Sequence, residues 1–133
     1  MTHKVIFACV HSAGRSQMAA AFFNALADPA RAQAVAAGTQ PGTRVHPEVL
    51  LAMREAGHDL SAAAPRLLTP ELARGAALLV TMGCGEQCPV VPGADRQDWP
   101  LQDPKGQPRE MVARIRDQIR ARVEELISAR GWR

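Results

Sequence analysis

The stretch Cys9-Val10-His11-Ser12-Ala13-Gly14-Arg15-Ser16 constrains this chain more than any other. It follows Lys4-Val5-Ile6-Phe7-Ala8, a short apolar run of β-favouring residues that reads as a buried strand. After it, Arg15 to Leu26 has helix-forming composition, with Met18, Phe22 and Leu26 repeating along one face. A strand, a tight loop and a helix start, in that order, aim successive backbone N–H groups at one spot. Such a concavity binds tetrahedral oxyanions, assisted by the positive end of the helix dipole. A cysteine at the strand end then lies beneath the anion, where the same field favours the reactive thiolate. Arg15 adds a planar fork able to grip two oxygens at once. The pattern reads as a nucleophilic thiolate under an oxyanion. Spacing alone does not carry that reading, because free cysteines followed by an arginine arise by chance and are commonly inert core residues. The placement between strand and helix, the small residues Ser12, Ala13 and Gly14, and Ser16 after the arginine favour the functional reading.

At 133 residues the chain is expected to form one domain, residues 1–133, large enough to bury a core without staples. No apolar run approaches the ~20 residues that span a membrane. Val5–Val10 is too short for a secretory signal and leads into a polar Gly-Arg loop, so a cytoplasmic protein is expected. Three cysteines in that setting argue against a disulfide framework and for catalytic, redox or metal chemistry. The net charge of +3 mildly favours anionic ligands. Nucleic acid is disfavoured: there is no Tyr, aromatics are 4%, and the arginines are mostly scattered along one late helix.

Asp28-Pro29 is expected to stop the first helix, since proline disfavours a helical residue before it. Ala34–Ala37 reads as a weak second strand, ended by the turn cluster Gly38-Thr39-Gln40-Pro41-Gly42. Pro47 opens a second helix, with Val49, Leu50 and Met53 on one face and Gly57 as its stop. Thr69-Pro70-Glu71 starts a short helix, and Ala76–Met82 is a convincing buried strand. Gly83 to Pro89 reads as a loop or short helix, and Gln97-Asp98-Trp99 as a short edge strand. The last helix is expected from about Pro108 to Arg130, its apolar stripe being Met111, Ile115, Ile119, Val123 and Leu126.

Strands alternating with helices imply an α/β fold, a parallel sheet with helices on both faces. Right-handed crossovers place the second strand on one side of the first and the third on the other. Ligands then bind where strand order reverses, at the carboxyl ends of the strands. That places the Cys9 loop at the switch point, with the loop after Met82 leaving the same edge.

Asp103 lies in Leu101-Gln102-Asp103-Pro104-Lys105-Gly106, an exposed turn. A carboxyl group held over an oxyanion site can protonate a departing oxygen, and an ordinary Asp-Pro turn is the plain alternative. Cys84 and Cys88 are four apart in a Gly-rich polar segment, so on a helical turn they share a face within disulfide reach after modest movement. A redox pair and two idle buried cysteines both fit. A metal site lacks further ligands, because His3, His11, His46 and His58 are dispersed. His11 can in principle act as a base, but its place inside a backbone-amide loop favours a structural role or that of a neighbour favouring the thiolate. Trp99 and Trp132 read as packing residues, Trp132 partly exposed near the chain end.

The Cys9-to-Arg15 loop, Ser16-Gln17-Met18-Ala19 and the late Asp103-Pro104 resemble the low-molecular-weight protein tyrosine phosphatase superfamily. Val10-His11, Ala13–Ala19, Pro65-Arg66-Leu67-Leu68-Thr69 and Thr81-Met82-Gly83-Cys84 look more specifically like its arsenate reductase branch. The resemblance covers nearly the whole chain and implies a four-stranded parallel sheet flanked by helices. It also implies that Cys9 attacks arsenate, with phosphate and sulfate as mimics, while Arg15 and the amides of Val10, His11, Ser12, Ala13, Gly14 and Arg15 hold the oxyanion. Ser16 is then the hydrogen-bond partner of the Cys9 sulfur and Asp103 the general acid. Cys84 attacks Cys9 to release arsenite, and Cys88 moves the disulfide to Cys84–Cys88, where thioredoxin or another thiol reductant reaches it. Family loops usually carry Asn where this chain has Ser12, a side chain that braces the loop and, in some members, a potassium ion. The Cys84–Cys88 spacing is also shorter than in better-known thioredoxin-coupled members. Two other readings compete: a phosphatase using Cys9, Arg15 and Asp103 without the other cysteines, and a non-catalytic oxyanion-binding or redox-sensing module.

Overall fold

The computed structural model describes residues 2–83 and 91–133. Four strands, β1 (His3–Cys9), β2 (Ala32–Gly38), β3 (Ala76–Thr81) and β4 (Asp95–Asp98), form one sheet of order β2-β1-β3-β4. Every neighbouring pair is parallel. The chain steps from β1 outward to β2, then crosses back to β3 on the other side, so strand order reverses at β1 as the alternation of elements implied. The register sets Cys9 opposite Gly38 and Ala8 opposite Thr81, bringing the carboxyl ends of three strands level.

Side-chain alternation along β1 builds two cores. Val5, Phe7 and Cys9 face a large cluster shared with α1 (Arg15–Leu26), α2 (Pro47–Glu55) and α4 (Arg109–Arg130). Ile6 and Ala8 face a smaller one, closed by Ala37, Leu79 and Ala73 of the short α3 (Pro70–Ala73). Helices therefore cover both faces, but unequally. The aromatic rings concentrate in the large core: Phe7 meets Phe23 edge-on at 5.9 Å and Trp99 at 5.6 Å.

The elements end where their chemistry changes. Helix α1 covers the anticipated residues, and Thr69 caps α3 by accepting from the Leu72 N–H at 3.1 Å. In α4, Ile115, Ile119, Val123 and Leu126 are buried as the stripe predicts, joined by Val112 and Ile127, while Met111 is only partly buried. Strands β1 and β2 are longer than their apolar cores suggested, because ladder pairing continues through His3 and Gly38. Strand β4 begins at Asp95 and ends at Asp98, earlier than expected; its polar residues suit an exposed edge. Trp132 packs as expected but is buried, not partly exposed: its ring lies 5.9 Å from Phe23 and 5.5 Å from His3, and its carbonyl accepts from the Asp28 N–H at 2.7 Å. Among the described residues, no helix is long and apolar enough to cross a membrane.

Candidate active site at the carboxyl end of β1

Cys9 is the last residue of β1 and is 2% exposed. Its Sγ lies 3.2 Å from the Ser16 hydroxyl on the first turn of α1. Ser16 Oγ in turn lies 3.3 Å from Ser12 Oγ. The hydrogen bonds of the intervening loop follow a strict pattern. The carbonyls of Cys9, Val10, His11 and Ala13 accept from the amides of Thr39, Gln40, Gly42 and His46, at 3.3, 2.8, 2.9 and 2.9 Å. Ser12 O accepts from Gln17 Nε2 at 2.9 Å, and Gly14 O from Met18 N at 3.0 Å. Among the described residues, no group accepts from the amides of His11, Ser12, Ala13 or Gly14. Paired carbonyls and unpaired amides, next to the orphan N–H groups that begin α1, make an anion-binding concavity.

Two glycines permit this shape. A Cβ on Gly38 would lie 2.6 Å from Val10 O, 2.9 Å from Ser12 N and 3.0 Å from Cys9 O, all backbone atoms of the loop. Gly83, with φ of +95°, lies so close to Arg15 that a Cβ there would run into the guanidinium. In the sequence Gly38 is indistinguishable from a plain turn residue, since its partner atoms are distant in the chain.

Arg15 is buried, and its Nη1 donates to Leu101 O at 3.0 Å. Its Nη2 lies 3.8 Å from Asp103 Oδ2. The predicted Asp103 turn is therefore brought to the loop. Pro104 packs against Gly14, where an added Cβ would meet its ring at 3.0 Å. Glu48 of α2 accepts from Gly106 N at 3.3 Å, and Asp103 Oδ1 accepts from Lys105 N at 3.0 Å. The Asp103 side chain stays 47% exposed, open to a proton from solvent. His11 Nδ1 lies 3.0 Å from Gln40 O; a carbonyl only accepts, so this nitrogen carries a proton and holds the loop to the 38–42 turn. Cys84 and Cys88 lie outside the described residues. Among the described residues, no group of three or more His, Cys, Asp or Glu side chains is arranged to hold a metal.

Residues 4–130 match the low molecular weight phosphotyrosine protein phosphatase family. The chain belongs to that family. Within it, the sequence is 39% identical to a putative arsenate reductase of Halobacterium salinarum, over 94% of this chain and 91% of that protein. The fold superposes on the thioredoxin-dependent arsenate reductase of Corynebacterium glutamicum with a TM-score of 0.83 at 36% identity, covering 96% of this chain. This chain spans 61% of that one. An arsenate reductase solved in its phosphate-binding state gives a TM-score of 0.83 at 30% identity, covering 96% of this chain and 98% of that one. The low-molecular-weight phosphatase-like fold expected from the loop is the fold found.

Proposed function

We propose that this protein, acting as a single domain, reduces arsenate to arsenite. The observation that carries the reading is Cys9 at the start of a loop whose amides have no acceptor among the described residues, hydrogen-bonded to Ser16, with Arg15 and Asp103 converging on the same loop. Similarity to arsenate reductases over nearly the whole chain supports arsenate over a phosphoester. Arsenate binds to the amides from Val10 to Arg15 and to the Arg15 guanidinium. The Cys9 thiolate attacks arsenic, forming a sulfur–arsenic bond. One arsenic–oxygen bond breaks, and Asp103 protonates the departing oxygen so that it leaves as water.

The remaining steps are thiol–disulfide exchange. Cys84 thiolate attacks the Cys9 sulfur, the sulfur–arsenic electron pair goes to arsenic, and arsenite departs with arsenic reduced by two electrons. Cys88 then attacks Cys84, freeing the Cys9 thiolate and leaving a Cys84–Cys88 disulfide. A dithiol reductant restores both thiols; we assign that role to thioredoxin, in keeping with a cytoplasmic setting and with the Corynebacterium relative.

The test is arsenate-dependent NADPH oxidation with thioredoxin and its reductase, beside hydrolysis of a chromogenic phosphoester. Cys84→Ser is expected to abolish multiple-turnover arsenate reduction while leaving slow phosphoester hydrolysis. Sustained arsenate turnover in that variant removes the relay, and phosphoester hydrolysis without any arsenate reduction in the unsubstituted protein makes it a phosphatase.

A further inference from the structure

We propose that Gln17 is a positioning residue for the Cys9 nucleophile: its carboxamide sets the direction in which the Ser12 and Ser16 hydroxyls point, so that Ser16 donates to the Cys9 sulfur. The proposal rests on the reading of Cys9 as the nucleophile. Gln17 is 7% exposed at the start of α1. Its Nε2 reaches Ser12 O at 2.9 Å, Ala64 O at 3.1 Å and Ser12 Oγ at 3.3 Å. The two carbonyls can only accept, so the amide orientation is decided: the NH2 group, not the oxygen, faces Ser12.

That choice propagates. Ser12 is fully buried and is the one described non-glycine residue with positive φ, +52°. A serine in the left-handed region needs its surroundings to keep it there. Gln17 supplies the hold by tying down the Ser12 carbonyl. Among the described residues, Ser12 Oγ has two neighbours, Gln17 Nε2 and Ser16 Oγ. The first can only donate. The Ser12 proton therefore has one acceptor, Ser16 Oγ. Ser16, once it accepts from Ser12, has its own proton left for its other neighbour, Cys9 Sγ at 3.2 Å.

All of these groups are satisfied together when the sulfur is a thiolate. With a thiol whose S–H donates to Ser16, a direction the same distances allow, Ser16 turns toward Ser12, and the Ser12 hydroxyl is left with no described acceptor for its own proton. The chain from Gln17 through Ser12 and Ser16 thus decides which hydroxyl donates to the sulfur, independently of the loop amides.

The readout is Cys9 alkylation by iodoacetamide as a function of pH, resolved by peptide mass spectrometry in the full chain. Gln17→Met keeps the length of the side chain and removes both donors. The pH midpoint of Cys9 alkylation is expected to rise, with the rate below the midpoint falling about tenfold and the high-pH plateau retained. In the Ser12→Asn/Gln17→Ala double variant, asparagine tolerates the left-handed conformation and offers its own N–H to Ser16. It is expected to bring the midpoint back toward that of the unsubstituted protein. A role confined to packing lowers the melting temperature of Gln17→Met and leaves its midpoint in place, and that result overturns the proposal. Should Gln17→Met fail to fold, the Gln17 side-chain amide resonances of the unsubstituted protein decide. They must shift with the same midpoint as Cys9 alkylation, and resonances flat through that pH range overturn the proposal. Alkylation does not involve arsenate, so this test is separate from the reading of the site, which fails if Cys9→Ser still turns arsenate over.

Discussion

Gly38 leaves no room for a methyl group beneath the loop. The atoms a Cβ would meet are backbone, at 2.6 to 3.0 Å, and cannot rotate away as a side-chain tip would. Gly38→Ala is therefore expected to displace residues 9–12, lowering stability by about 1–3 kcal/mol. Phosphate affinity falls with it, measured by thermal melting with and without phosphate. Asp103, by contrast, is about half exposed. Asp103→Asn keeps the Oδ1 that accepts from Lys105 N and so preserves the turn, but it cannot give up an acid proton. Single-turnover arsenate reduction is expected to slow by about a hundredfold or more; an unchanged rate removes Asp103 from the mechanism. The two residues also mark how far residue-level reading reaches. Asp103 was legible because an Asp-Pro turn announces itself locally, and the structure adds its approach to Arg15. The role of Gly38 comes from atoms on another segment, and that of Gln17 from Ser12 five residues back together with Ala64; residue type alone signals neither.

Among the elements, α2 and α4 show which force dominates. They meet through Glu55, which pairs with Arg109 and lies 3.8 Å from Arg116, while Arg116 also donates to Ala52 O at 2.8 Å. The hydrogen bond from Arg109 holds the Glu55 carboxyl below its ordinary value of 4.5, with its charge and that of Arg116 adding to the effect. A depressed carboxyl contributes stability that is present above the ordinary value and lost as pH falls through the folded one. Glu55→Gln is therefore expected to flatten the acid limb of the melting-temperature profile below about pH 4.5 and to leave its slope near pH 7 unchanged. The pair is exposed, so its contribution is small. Ile119, fully buried in the stripe of α4, carries far more: Ile119→Ala is expected to cost about 2–5 kcal/mol, read from denaturant unfolding. The stripe was legible because a helical period repeated over five residues leaves little freedom. The ion pair was not, because its partners are 54 residues apart.

For the whole molecule, a reversal of strand order at β1 brings the Cys9 loop, the end of β3 and the 101–104 turn to one edge. Alternation of strands and helices was enough to foresee that the Cys9 loop and the end of β3 share that edge, given right-handed crossovers, but not that the 101–104 turn joins them. It was not enough to foresee that Trp132 closes the large core, since that depends on a contact between the chain ends, Trp132 against His3. The same convergence links binding to folding. In the proposed binding mode an oxyanion in the loop meets amides held by residues 38–46 and α1, together with the Arg15 fork, which itself rests on Leu101. Unfolding scatters these groups, so a ligand of the folded loop stabilises the whole domain. At a hundredfold excess over its dissociation constant the gain is about 2.7 kcal/mol. Arsenate, phosphate and sulfate are each expected to raise the melting temperature by several degrees at such concentrations, on the order of 4 °C per kcal/mol. Chloride at equal ionic strength is the control. Arg15→Lys replaces the fork by a point charge and is expected to lose most of the shift while melting near the unliganded temperature of the unsubstituted protein. An equal shift in chloride, or a full shift in Arg15→Lys, means that the anions act on surface charge and not through the loop.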